Sequence, residues 1–426
     1  MEKIEKLLEK LNMLPEQTDV GKIAEKYIAE MEKGLSGEGS SLPMIPSYLS
    51  VDGQIADGEP VIALDAGGTN LRVGLVTFTG GKPETQHYQK SCMPGSNGEV
   101  SVEEFFDILA QKVAPLCPYS DTIAFCFSYP VEITSNRDGR IINLSKEVRV
   151  KGAAGVMIGQ AMTQALRARG VSEQKSFVVL NDTIASLMGG IAHMGLRDDA
   201  DGLAGLILGT GANSCYLERG ERIGKLPGAA DMIINCESAY FNGGGGGLAD
   251  EILDRESVAP GKAPFEKMIS GAYIGKLVTN IANIAAQDGL MSELFATQAR
   301  EGGLQFTTPE LDAFMRGQDN AVARMCETQD AEKLRAMITA AFERAAKLVC
   351  ANIVALVLHG DHGKSENRPF YVVPDGSMFH NSLLFKDMFD RYMHEELAFK
   401  LGRFAKVKYA GDANLAGSAL AALLNK

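Results

Sequence analysis

Two glycine-rich turns, each between apolar segments, carry the most distinctive chemistry of this chain. The first lies within residues 62–73 and the second within residues 206–216. Glycine accepts a positive φ and has no side chain, so successive backbone N–H groups of such a turn can converge on one phosphate. A tight hairpin also needs glycine for its own geometry. One turn alone therefore decides nothing, whereas two of the same type in one chain favour a bound nucleotide.

Carboxylates and amides stand beside these turns or at other strand and helix ends. Asp65 ends the first strand, where it could offer a hard oxygen ligand to Mg²⁺ bound to phosphate. Asp182 suits a helix N-cap, but it also follows a strand end, where open α/β sheets bind ligands. Asn213, Glu237 and Glu266 also lie at strand or helix ends, and such groups pair well with vicinal sugar hydroxyls. Each of them alone is more often ordinary polar surface.

The hydrophobic pattern places these residues on two successive α/β series. In the first series the strands are predicted at 61–65, 71–78, 122–128 and 177–180, with helices near 101–115 and 155–169. In the second series the strands are predicted at 203–209, 213–218, 231–236, 370–374 and 405–409, with helices at 182–194, 263–286, 330–358, 383–397 and from Ala413 onwards. Residues 34–58 are predicted to form a loop. Both series open as strand, Gly/Thr-rich turn and strand, which suggests a duplicated architecture facing one cleft.

Two other runs invite a functional interpretation that their surroundings do not support. The five glycines from Gly243 to Gly247 are predicted to form a flexible surface loop rather than a phosphate site. Residues 359–362, His-Gly-Asp-His, could chelate a metal, yet no further ligand spacing accompanies them, so a solvated loop is the expectation.

Composition argues against several classes of function. Among 426 residues, 54 acidic and 42 basic side chains give a formal net charge of −12, without a basic cluster, so neither nucleic acid nor a membrane surface is an expected partner. No apolar run of about 18 residues predicts a membrane span, and the N-terminus resembles no targeting peptide. The seven cysteines never form a Cys-x-x-Cys pair, which argues against zinc and a disulfide framework. A cytoplasmic protein is expected.

Eight ordered motifs give the chain, from about Glu25 to Leu424, a resemblance to a known family. The chain resembles the hexokinases, and more the eukaryotic type than the short bacterial glucokinases. The matching segments are Lys33-Gly34-Leu35-Ser36 with Leu42-Pro43-Met44-Ile45-Pro46, the hairpin 64–73, Phe125-Cys126-Phe127-Ser128-Tyr129-Pro130, Leu180-Asn181-Asp182-Thr183, Gly209-Thr210-Gly211-Ala212-Asn213, Ile234-Asn235-Cys236-Glu237, residues 265–271 and Asp375-Gly376-Ser377.

The resemblance implies a role for each residue that matches the family's motifs. Asp182 is implied as the catalytic base, with Lys146 and Arg72 as the cations near the transferring phosphate. The residues implied to surround the sugar are Ser128, Ser145, Lys146, Asn181, Asp182, Asn213, Glu237 and Glu266. The residues implied to bind the nucleotide are Asp65, Gly67, Gly68, Thr69, Asn70 and Arg72 in one hairpin, Gly209, Thr210 and Gly211 in the other, and Gly376, Ser377 and Gly411 beside the adenosine, with Asp65 reaching Mg²⁺ through water.

The implied fold is α/β, with two actin-like (ribonuclease H-like) domains, mixed five-stranded sheets and a deep interdomain cleft that closes on sugar. The small domain is expected at residues 59–181 with the C-terminal helix 412–426 returning to it, and the large domain at residues 1–58 and 182–411. The implied activity is ATP- and Mg²⁺-dependent phosphorylation of the 6-hydroxyl of a hexose, expected to be glucose, in glycolysis, by a monomer or homodimer.

Two departures from the family pattern leave alternatives open. The family's Trp-Thr-Lys-Gly reads Leu144-Ser145-Lys146-Glu147 here, which leaves mannose, fructose or a hexosamine as alternative substrates. Residues 413–417 lack the family's glycines and lysine, which leaves the nucleotide donor open. A non-catalytic hexose-binding regulator that kept the fold is the other alternative.

Overall fold

A computed structural model describes residues 1–68, 70–144, 148–195, 199–301, 303–411 and 413–425. Its strands build two large sheets and two small two-stranded ones. The strands are β1 (Ile45–Pro46), β2 (Val61–Ala66), β3 (Asn70–Thr79), β4 (Lys82–Cys92), β5 (Val100–Ser101), β6 (Thr122–Phe127), β7 (Val131–Ile133), β8 (Gly139–Ile141), β9 (Val150–Lys151), β10 (Ser176–Leu180), β11 (Gly202–Leu208), β12 (Ala212–Glu218), β13 (Met232–Asn235), β14 (Phe370–Asp375) and β15 (Ala405–Val407).

Helices precede, separate and follow these strands. They are α1 (Glu2–Lys10), α2 (Val20–Ser36), α3 (Val102–Val113), α4 (Ile158–Ala168), α5 (Asp182–Met194), α6 (Leu248–Glu256), α7 (Pro264–Ile269), α8 (Ile274–Gln287), α9 (Glu293–Glu301), α10 (Thr308–Met315), α11 (Ala321–Arg324), α12 (Thr328–His359), α13 (Ser377–Asn381), α14 (Leu383–Met393) and α15 (Asn414–Leu424). A π-helix, His394–Lys400, continues α14. Within the described ranges, no helix combines the length and the apolar character needed to cross a bilayer.

The two large sheets repeat one arrangement of strands. The order of sheet one is β10-β6-β2-β3-β4, and that of sheet two is β1-β13-β12-β11-β14-β15. In each, an antiparallel hairpin (β2–β3 or β11–β12) has a parallel strand on the other side of its first strand. Because the carboxyl ends of parallel strands meet at one edge, each sheet presents its glycine turn beside the loops that follow its other parallel strands.

Two helices, α5 and α15, pack between the sheets and share a core with both. Their apolar residues are buried together with Val61 of β2 and Val373 of β14. The helices cross so closely that a Cβ on Gly417 would lie 1.9 Å from the carbonyl oxygen of Ala185, and one on Gly189 would lie 2.6 Å from Cβ of Ala413. Glycine at these positions lets the two backbones touch, and the contact fixes α5, whose first residue is Asp182.

Several short elements were not predicted from the sequence, and three differences concern the large sheets and the helices beside them. The edge strand β4 was not predicted because its residues, KPETQHYQKSC, are polar and almost all exposed and lack the apolar alternation of a half-buried strand. The helix predicted at 263–286 is two helices, because the chain turns at residues 270–273 between α7 and α8. Residues 34–58 are not wholly a loop: α2 extends to Ser36, and β1 gives sheet two a sixth strand instead of the expected five.

The glycine run and the histidine segment are also more ordered than predicted. A Cβ on Gly247 would lie 2.1 Å from the carbonyl oxygen of Leu11, so this end of the run packs against the N-terminal segment. His359 belongs to the end of α12, not to a solvated loop, and its Nε2 lies 2.6 Å from the buried Glu218 carboxylate. This contact explains the histidine without a metal.

We predict that Gly417→Ala destabilises the fold. An alanine gains about 1 kcal/mol of helix propensity over glycine, but the added methyl group collides with a backbone carbonyl that cannot rotate away. The net expectation is a loss of about 1–3 kcal/mol in the free energy of unfolding, measured by urea denaturation. Gly39→Ala is the control, because nothing lies within 4 Å of the added Cβ. Equal stability of the two variants would contradict the proposed role of the helix crossing.

Candidate active site

Asp182 is the first residue of α5 and is oriented by its neighbours. The Asn181 side chain caps the helix, accepting a hydrogen bond from the Thr183 backbone N–H at 2.9 Å. The Thr183 hydroxyl donates to Oδ1 of Asp182 at 3.3 Å. Asp182 is a half-buried residue at the carboxyl end of β10, where a ligand can reach it.

The surroundings raise the pKa of Asp182 above its usual value of 3.8. Burial among protein atoms is the largest cause, and the negative charges of Asp65 and Asp375 act in the same direction. A hydrogen bond from the Ser128 hydroxyl and one from the Thr183 N–H favour the ionised form and limit the rise. Ser128 follows β6, so the parallel pairing of β6 with β10 brings it to this carboxylate.

Glu237 and Glu266 bring two further carboxylates to the same place. Burial raises the pKa of Glu237, and the charges of Asp182 and Glu266 raise it further. Glu237 has a left-handed backbone, φ 54° and ψ 48°, which is uncommon for a residue with a side chain and recurs at functional sites. Oε2 of Glu266 accepts a hydrogen bond from the Ala212 N–H at 3.1 Å. The charges of Asp182 and Glu266 thus both act on Glu237, which places the three acidic side chains near one another.

An amide network holds Glu237 in position. The side-chain NH₂ of Asn213 donates to Oδ1 of Asn235 at 2.8 Å, and the NH₂ of Asn235 donates to Oε1 of Glu237 at 2.8 Å. Oδ1 of Asn213 accepts hydrogen bonds from the N–H groups of Ser214 and Ser238. Asn213 therefore acts on Glu237 through Asn235. Asn235 was not predicted as a site residue, although its place at a strand end two residues before Glu237 was a usable signal.

The first glycine turn joins β2 to β3 and is tied to a neighbouring loop. The Gly67 N–H donates to the carbonyl of Asn70 at 3.1 Å, and the Tyr129 hydroxyl donates to the carbonyl of Gly68 at 2.9 Å. The tyrosine was also missed by sequence reasoning. Asp65 is 1% exposed and forms an ion pair with Arg72 across the hairpin at 2.6 Å.

The second glycine turn joins β11 to β12 and packs against the turn that follows β14. The Gly271 N–H donates to the carbonyl of Gly209 at 2.8 Å. Gly376 has φ +110°, and a Cβ there would lie 2.5 Å from the carbonyl of Leu208, so only glycine fits. Thr210 and Ser377 line a cavity of about 300 Å³ beside this contact, together with Gly271, Ala272, Thr308, Pro309, Asp312, Arg316, Met378, Asn381 and Ser382.

Some of the remaining predicted site residues are described by the structure and others are not. Thr69, Ser145 and Lys146 lie outside the residues that the structure describes. Gly411 follows β15 with φ +64°, two residues after Tyr409, whose ring packs against Phe379 of α13. Electrostatic interactions connect four of the predicted acids: Asp182 with Asp65, and Glu237 with both Asp182 and Glu266. The Ser128 hydroxyl donates a hydrogen bond to Asp182.

Comparisons with known proteins agree in one family. Two family models, both described as hexokinase, match residues 3–192 and 203–424. The chain is 30% identical to hexokinase-1 of Oryza sativa subsp. japonica over 442 residues, covering 95% of this chain and 87% of that protein. It is 34% identical to hexokinase-2 of the same plant over 279 residues, 61% of this chain and 55% of that protein, so that match spans about half of the relative.

A solved structure has the same fold over the full length. The hexokinase of Schistosoma mansoni complexed with glucose aligns with a TM-score of 0.77 and 24% identity, covering 99% of this chain and 98% of that chain. This likeness confirms the expected α/β fold class.

We predict that Ser128→Ala raises the pKa of Asp182 further. The serine hydroxyl stabilises the ionised carboxylate, so its removal favours the protonated form. The pH dependence of the Asp182 carboxyl ¹³C shift, measured by NMR, reports the change. Ser176→Ala, at the opposite end of β10, should leave this pKa where it is. An unchanged or lowered pKa in Ser128→Ala would show that the hydroxyl does not stabilise the charge.

Proposed function

The chain belongs to the hexokinase family, and from that membership we propose that it transfers the γ-phosphoryl group of ATP to the 6-hydroxyl of a hexose, with glucose as the expected substrate and Asp182 as the base. The observation that carries this assignment is the electrostatic coupling of Asp182, after β10, with Glu237, after β13, and of Glu237 with Glu266 in α7, in a protein whose two hairpins β2–β3 and β11–β12 bear the glycine turns. Acid groups in a pocket suit hydroxyl donors, and glycine turns suit phosphates.

We propose that the hexose binds with its hydroxyls donating to the three carboxylates. Ser128 and Asn181 flank Asp182 and complete the set of polar groups, whereas Asn213 supports Glu237 through Asn235. Ser145 and Lys146 keep the sugar-binding roles that the resemblance implies, as predictions. The substitution of the family's threonine by Ser145 is the reason that mannose, fructose and hexosamines remain alternative substrates.

In the proposed transfer, Asp182 accepts the proton of the 6-hydroxyl. The O6–Pγ bond forms as the bond from Pγ to the bridging oxygen of ADP breaks, and the proton moves to Asp182. A pKa raised above 3.8 makes this carboxylate a stronger base toward the hydroxyl proton. The acid limb of the rate profile is therefore expected above the pKa of an ordinary aspartate.

We propose that ATP lies with its phosphates between the glycine turns and its adenosine in the cavity beside Thr210 and Ser377. The close packing of Gly376 on Leu208 supports a backbone-lined wall there. When bound, Mg²⁺ neutralises charge on the phosphates. Asp65 fits the role of an indirect ligand, because its carboxylate is fixed at the turn by Arg72 and Mg²⁺ usually retains several waters. Arg72 is then the cation beside the phosphates, and Lys146 remains a prediction.

We propose that residues 59–181 and 412–426 form a small domain and that residues 1–58 and 182–411 form a large one. The cleft between the two domains closes when the sugar binds. Two separate sheets with α5 and α15 between them support this division. Closure would exclude water, a competing acceptor of the phosphoryl group. A cytoplasmic monomer or homodimer that acts in glycolysis remains our expectation; the seven cysteines are all unpaired thiols, which agrees with a reducing compartment.

We predict that Asp182→Asn lowers kcat by about 10²- to 10⁴-fold while glucose binding persists. A coupled assay of ADP release across glucose, mannose, fructose and glucosamine, with ATP and Mg²⁺, measures both the preferred sugar and the loss. Asp288→Asn, an exposed substitution after α8, is the control and should retain full turnover. Near-normal turnover by Asp182→Asn would refute its role as base, and hexose binding by the unsubstituted protein without ADP release would favour a regulator.

A further inference from the structure

A second and larger cavity lies at the opposite edge of sheet one from the candidate active site. Its volume is about 930 Å³, and its walls include Thr122 at the start of β6, Ser176 at the start of β10, helix α4 and the C-terminal end of α15. Ser128 and Asp182 follow the other ends of the same two strands. The five residues of β10 span roughly 16 Å, so this cavity is separate from the pocket around Asp182.

Two arginines in the wall of this cavity have no acidic partner in the described part of the chain. They are Arg137, before β8, and Arg167, in the last turn of α4. Nε of Arg137 is buried, and no acceptor among the described residues is within hydrogen-bonding distance. A buried guanidinium N–H without an acceptor is costly. Both guanidinium groups are therefore available to a ligand.

The backbone fixes Arg137 at the cavity. Its N–H donates to the carbonyl of Thr134 at 2.7 Å, and its carbonyl accepts from the Val179 N–H of β10 at 2.9 Å. The residue has φ +64°, a left-handed conformation rarely adopted by residues other than glycine. The turn thus holds the backbone of Arg137 against the sheet edge beside the cavity.

The other charges in the wall are already satisfied. Nζ of Lys175 donates to the carbonyls of Cys117 and Ser120 and to the Asp121 carboxylate, which uses all three of its protons. Oδ1 of Asp138 accepts hydrogen bonds from the N–H groups of Gly139 and Gly159, both at 2.7 Å. The unsatisfied charge is therefore positive. Uncharged polar groups complete the lining, namely those of Asn136, Gln160, Thr163, Gln164, Gln174 and Ser176.

We propose that this cavity binds a small organic anion with at least two negative charges, a phosphomonoester or a polycarboxylate, through Arg137 and Arg167. Guanidinium groups form paired charge-assisted hydrogen bonds with both chemistries, and the amide side chains suit hydroxyl or carbonyl groups on the same molecule. The site does not depend on the proposed function, because none of its residues contacts the candidate active site.

Calorimetric titration with glycerol 3-phosphate and with citrate, at low ionic strength and without Mg²⁺, tests this site. At least one of the two should bind with one-to-one stoichiometry, and the identity of the binder separates phosphate from carboxylate chemistry. Arg137→Gln and Arg167→Gln should each raise its Kd about tenfold or more. Arg140→Gln is the matched control, because Arg140 is exposed, pairs with Glu132 and lies outside the cavity wall.

Retained hexose phosphorylation and circular dichroism show that the variants fold, since neither arginine belongs to the catalytic machinery. Failure of both probes to bind overturns the proposal. Binding that survives both Arg137→Gln and Arg167→Gln overturns it equally, because the ligand would then lie elsewhere.

Discussion

The carboxylates of Asp182 and Glu266 both act on the charge of Glu237, and burial raises the pKa of two of the three, Asp182 and Glu237. Like charges at short range in a poorly solvated site raise one another's pKa, as the raised pKa of Glu237 illustrates. Such a cluster is stable only if the protein supplies hydrogen-bond donors and a scaffold that prevents the acids from moving apart. The strand ends supply the hydrogen-bond donors, and the packing of α5 against α15 supplies the scaffold.

The donors come from chain segments far apart in sequence. The amide of Asn235 supports Glu237, the Ala212 N–H supports Glu266, and Ser128 with Thr183 supports Asp182. Parallel pairing of β6 with β10 in sheet one and antiparallel pairing of β12 with β13 in sheet two deliver these groups to one edge of each sheet. The close crossing of α5 with α15, made by Gly189 and Gly417, then holds the start of α5 between the two sheets. The backbone contact between α5 and α15 therefore fixes the position of Asp182 relative to the other acids.

The sequence predicted the buried elements well and the polar ones poorly. Strands such as β2, β6 and β11 are continuous apolar runs, and their position followed from that pattern. The exposed edge strand β4 has no such pattern, and the Ser270-Gly271 pair, a turn signal between α7 and α8, was not recognised as a break in the apolar run. At the site, acids at strand ends were predicted, whereas Asn235 and Tyr129 were not. Their roles depend on contacts between distant segments, which local patterns do not encode.

The central claim is that the acid pocket accepts the hydroxyls of a hexose. Calorimetric titration of glucose into the protein and into Glu237→Gln and Glu266→Gln variants tests it most directly, with Glu221→Gln, an exposed substitution, as the control. Loss of a hydrogen bond to a charged acceptor should raise the Kd for glucose about tenfold or more in each pocket variant and leave the control unchanged. Glucose affinity that is equal in all four proteins would contradict the account.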